Sequence, residues 1–160
     1  MAQAEKSETS MMKESLLAAY ERNLGLLKKE IEAYTNEESI WQVREGILNS
    51  GGNLCLHMVG NLNHFVGTNL AKTGYVRDRD GEFSDTGLSR AELIARIEAV
   101  TSVVGTTIGN LAAEDLADDY PELLFDNQMD TGTVLAYMSG HLAYHLGQLN
   151  YHRRLLDKLD

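Results

Sequence analysis

At 160 residues and 17.8 kDa the chain has the size of one ordinary domain, and 43% hydrophobic against 24% charged residues is the balance of a soluble globular protein. A formal net charge of -10 argues against a concentrated basic surface, and with it against nucleic acid and anionic membranes as partners. A single proline permits long uninterrupted helices, and a single cysteine, Cys55, excludes an internal disulfide or a cysteine-rich zinc site.

The opening MAQAEKSETS lacks the apolar stretch of a signal peptide, and no apolar run approaches the roughly 18 residues of a membrane span. A cytoplasmic location is the expectation. Residues 1–10 are small and polar without periodicity and read as a disordered leader, leaving 11–160 as a single domain. A first helix follows, with Met12, Leu16, Ala19, Tyr20, Leu26, Leu27, Ile31 and Tyr34 recurring at spacings of three and four until Thr35-Asn36. The connector from Ser39 to Asn49 carries Trp41, read as a core anchor.

Ser50-Gly51-Gly52-Asn53 reads as a break and helix start. The second helix carries Leu54, His57, Asn61, Phe65 and Thr68 on one stripe and ends near Lys72-Thr73-Gly74. Tyr75 to Gly87 is charged and glycine-dotted, long enough to be a crossover or a lid. Ser89-Arg90-Ala91-Glu92 has the form of a capping box, and Leu93, Ile97, Val100, Val104 and Ile108 continue a third helix that fades around Asn110 to Ala113. An acidic stretch with Pro121 then precedes a fourth helix, capped by Asp130 or Thr131 and running to about Leu156. Arg153, Arg154 and Lys158 sit where cations complement its C-terminal dipole.

All five histidines fall in the second and fourth helices. Positions four apart lie about 40° apart around a helix, so His141 and His145 can aim their imidazoles at one point. A divalent transition ion such as zinc fits there, and His57 is the best third ligand. Three histidines leave a position open, the arrangement expected of catalysis rather than of a closed structural site. His64 and His152 each lie seven residues beyond a proposed ligand, about 10 Å along the helix. Parallel helices would bring those two together and antiparallel helices would separate them; non-ligand roles are favoured. Asn61, Tyr144 and Gln148 stand near the ligands and either orient them or meet a substrate, with plain surface amides as the alternative for Asn61 and Gln148. Arg77 or Arg79 could reach an anionic substrate, though an ion-paired loop of alternating arginine and aspartate is favoured. Cys55 is read as a packed, inert thiol.

Three segments carry a resemblance: Leu56-His57-Met58-Val59-Gly60-Asn61, the loop from Arg77 to Phe83, and His141-Leu142-Ala143-Tyr144-His145-Leu146-Gly147-Gln148. Over roughly residues 12–157 the chain resembles the DinB/YfiT-like metalloenzymes, the His-x-x-x-His-x-Gly-Gln segment being the most specific part. The resemblance implies an all-α four-helix bundle with long crossover connections, often a homodimer, with zinc or nickel held at His57, His141 and His145. It also implies a thiol-dependent S-transferase acting on small electrophiles with a low-molecular-weight thiol. The alternative is a non-catalytic dimeric metal-binding or stress-related bundle.

Overall fold

The computed structural model describes residues 2–157, with side chains from Glu8 onward. It is all-helical: α1 (Ala2–Glu32), α2 (Gly51–Leu62), α3 (Arg79–Ser84), α4 (Arg90–Asn110) and α5 (Thr131–Leu156). Among the described residues there are isolated β-bridges in the loops, such as Arg44 with Ile47, but no strand, and no helix is long and apolar enough to cross a membrane. α1 runs back to Ala2, over most of the segment expected as a leader. Ala2, Gln3, Ala4, Glu5 and Lys6 are good helix formers, and neither glycine nor proline interrupts them.

The four long helices enclose one core. α1 contributes Leu16, Tyr20, Leu24, Leu27 and Ile31 at helical spacing, and α4 contributes Leu93, Ile97, Val100, Val104 and Ile108. α1 packs on α4 and α5, and α2 packs on the same two helices. All twelve residues of α2 are buried, so it lies inside the assembly rather than on its surface. Removing a large aliphatic side chain from this core, such as Ile97, costs about 2–5 kcal/mol. The ends of the helices are chemically marked. Ser89 and Glu92 form the reciprocal capping box that starts α4. Asp130 caps α5 by accepting from the Thr133 amide.

Three local features position the site. Trp41 closes a short 3-10 helix, Glu37–Trp41, donates to the Leu88 carbonyl at 3.0 Å, and lies so close to Gly52 that a Cβ there would strike its ring. α2 does not stop at Leu62 but continues as a π-helical turn, Asn63–Thr68, before Lys72 and Gly74 take positive φ and end it. The charged crossover contains α3, a helix the sequence pattern did not reveal. Asn53 on α2 holds it by donating to the carbonyls of Glu82 at 3.2 Å and Asp85 at 2.8 Å.

Candidate metal centre

His57 and His141 meet halfway along α2 and α5, while a Cβ on Gly51 would lie 3.3 Å from His152 Nδ1. Moving back along α2 therefore means moving forward along α5, and the two helices are antiparallel. His64 and His152 separate as that geometry requires. His64 Nε2 pairs with Glu122 at 2.8 Å, and His152 is buried between the Tyr34 hydroxyl at 2.7 Å and the Gln42 carbonyl at 2.8 Å.

The other three histidines converge. His141 Nε2 lies 3.2 Å from His57 Nε2 and 3.2 Å from His145 Nε2, and a ligand atom from each falls within 4.8 Å of the others. In a tetrahedral zinc site with Zn–N of about 2.0–2.1 Å, adjacent nitrogens stand roughly 3.3 Å apart. The protons favour the same arrangement. A carboxylate only accepts, so His57 Nδ1 donates to Glu82 at 2.9 Å and its Nε2 is left with a lone pair. Gln148 Oε1 likewise takes the His145 Nδ1 proton at 2.6 Å. Both lone pairs face His141 Nε2, which carries at most one proton, so one 3.2 Å contact sets lone pair against lone pair. A cation among the three nitrogens removes that repulsion, and imidazole donors suit zinc or nickel. The three histidines could therefore form a metal site.

Electrostatics keeps these rings available. Burial first, then the neighbouring His145 and His57, pushes His141 down to about 4. Burial also lowers His145, partly offset by its bond to Gln148. Unprotonated imidazole is the ligating form, so both rings are ready at neutral pH. Beneath His57, burial would by itself raise the Glu82 carboxyl, but hydrogen bonds from Arg77 and His57 outweigh it and hold the group below the usual carboxylate range. Arg77 grips both carboxylate oxygens, Nε at 2.7 Å and a terminal nitrogen at 2.8 Å. This carboxylate–histidine pair fixes the ring's tautomer and direction, as metal-ligating histidines require.

The remaining expectations find definite places. Gln148 orients His145, and Tyr144, largely exposed, sets its ring edge-on to His145 at 5.0 Å. Asn61 is buried, and its Oδ1 has no hydrogen-bond partner. Arg77 is committed to Glu82, while Arg79 stands exposed at the surface of α3. Cys55 is fully buried, its thiol pushed up to about 12 by burial. Arg153 pairs with Glu30 at 2.8 Å; Lys158 lies outside the described residues.

Glu82 is the contribution the sequence reading did not single out. Its signal was Gly60, three residues beyond His57 in a fully buried helix: a Cβ at that position would collide with the Glu82 carboxylate. A glycine inside a buried helix marks a close approach, and here the approaching group is the support of a ligand. No curated protein matches the chain. A family match covers residues 8–160, nearly the whole described structure, and includes all three converging histidines. The chain belongs to that family, DUF1572, described as "Protein of unknown function".

Proposed function

We propose that this protein is a DinB/YfiT-like four-helix bundle in which His57, His141 and His145 hold a divalent transition ion, zinc or nickel, with one position open. On this reading it is a metal-dependent enzyme of the thiol S-transferase type, acting on small electrophiles in the cytoplasm. The observation that carries the proposal is the convergence of three imidazoles whose outer nitrogens, on His57 and His145, are already engaged by Glu82 and Gln148. The His-x-x-x-His-x-Gly-Gln segment and the family match support the superfamily. When bound, such an ion supplies Lewis acidity that brings the pKa of a thiol or water toward neutrality.

The chain's own residues do the rest. Arg77 and Glu82 hold the His57 ring, and Gln148 holds that of His145. Asn61, one turn beyond His57, offers an unpaired buried acceptor suited to a substrate donor, since an unsatisfied carbonyl costs about 1–3 kcal/mol without one. Tyr144 sets the edge of its ring against His145. Support for a homodimer comes from Tyr137, Tyr144 and Tyr151, exposed at seven-residue spacing along one face of α5.

Metal analysis of protein purified without an affinity tag tests the proposal, together with an assay for conjugation of low-molecular-weight thiols to an electrophile. One divalent ion per chain and turnover that disappears on chelation are expected. Protein that binds no divalent ion at neutral pH would overturn the metal site, and bound metal without any conjugation would leave a non-catalytic metal-binding bundle.

A further inference from the structure

A second feature lies on the far side of His145. The connector before α2 makes a tight turn in which Arg44 and Ile47 exchange backbone hydrogen bonds of 3.3 and 2.8 Å, with Gly46 at φ +80°. The positive φ suits glycine, which has no Cβ to oppose it. Between this turn and α5 lies a cavity of about 340 Å³, walled by residues 46–49 with Leu54, Gln148 and His152. That volume is within the range of small-molecule sites, roughly 300–1,000 Å³.

The walls are chemically selective. Ile47, Leu48 and Leu54 supply apolar surface, with Leu48 87% exposed at the rim. None of the lining side chains carries a charge. His152 is occupied at both nitrogens: the Gln42 carbonyl accepts from Nε2, so Nδ1 accepts from the Tyr34 hydroxyl, which is the neutral tautomer. Asn49 and Gln148 are the side-chain amides of the lining, both exposed, and Gln148 is the one that also meets His145. Its Oε1 is taken by His145, while its amide N–H groups have no hydrogen-bond partner among the described residues.

We infer that this cavity binds an uncharged, largely apolar small molecule whose carbonyl-type oxygen accepts from the Gln148 amide. An anion or cation there meets no opposite charge among the lining side chains and gives up hydration wherever it lies against Ile47, Leu48 and Leu54. The site does not depend on metal at the histidines, although Gln148 touches both.

The test is an NMR titration of isotope-labelled full-length protein with three probes of one shape: naphthalene-2-carboxamide, naphthalene-2-carboxylate and 2-naphthylmethylammonium. Each titration is run with zinc and with a chelator. The carboxamide should produce saturable shifts at residues 46–49 and Leu54, with binding at least about tenfold tighter than either ion. Leu48→Lys, a change at an exposed position, should narrow or reverse the preference toward the carboxylate. Asn49→Trp should block binding from the rim. Equal binding of all three probes, shifts elsewhere on the surface, or no binding would overturn the inference. Protein that binds zinc but not the carboxamide refutes the cavity alone; protein that binds the carboxamide but no zinc refutes the metal centre alone.

Discussion

Glu82→Gln preserves the shape of a buried side chain and removes the charge beneath His57. A carboxylate offers acceptors on both oxygens, and here Arg77 uses both while His57 Nδ1 uses one. A carboxamide replaces one oxygen with NH2, so an N–H must face either Arg77 or His57. Loss of such an outer partner typically weakens metal affinity 10–100-fold, or about 1.4–2.7 kcal/mol. Breaking a buried ion pair costs about 3–5 kcal/mol, but the Arg77 side chain is 15% exposed and can turn toward water, so about 2–4 kcal/mol is the reasoned figure. For a chain of this size that corresponds to a fall in Tm of about 5–15 °C. Zinc affinity is read by competition with a chelating dye, and stability by thermal melting of the metal-free protein. A variant that melts with the parent and binds zinc within about twofold of it would refute the assignment of Glu82 as the support of His57.

Other expectations follow from the same geometry. His141→Ala should abolish stoichiometric metal binding, whereas His152→Ala should retain it while losing about 1–3 kcal/mol of stability from the orphaned Tyr34 hydroxyl and Gln42 carbonyl, read by metal content and melting of the two variants. Asn61→Leu, close in size, should leave stability equal or higher by about 1 kcal/mol while turnover falls, a split that a purely structural asparagine would not give. His141 has its folded pKa at about 4, below the ordinary 6.5, so protonation favours the unfolded chain. The metal-free protein should lose stability as pH falls from about 6.5 toward 4 and be insensitive to this ring above that window, as melts across pH will show. Zinc at about 100 times its Kd should add about 2.7 kcal/mol, a rise in Tm of about 5–10 °C that a chelator reverses.

What the sequence revealed and what it hid divides along physical lines. The Ser89–Glu92 box, the Asp130 cap and the end of α5 near Leu156 were legible because capping and periodicity are local. His141 and His145 were legible for the same reason, being one turn apart. The antiparallel sense of α2 and α5 was not, since the spacings of His64 and His152 fit either direction and only packing chooses between them. α3 escaped because six residues, one of them glycine, are too few for a periodic signal. Glu82 escaped because it sits among Asp78, Asp80 and Asp85, and no local rule separates the acid that turns inward from those that stay in water.

The antiparallel pairing of α2 and α5 also bears on how the chain assembles. His141 and His145 need only a single turn of helix to stand together, but His57 must be brought from 84 residues upstream in the chain. Closing a loop of that length is entropically costly and is possible only when the two helices have packed. During folding, a two-histidine grip on α5 is available early and a three-histidine grip only at the end. Occupancy of the complete site is thus a readout of finished tertiary structure, and the difference between weak and tight metal retention separates a chain that has formed its helices from one that has docked them.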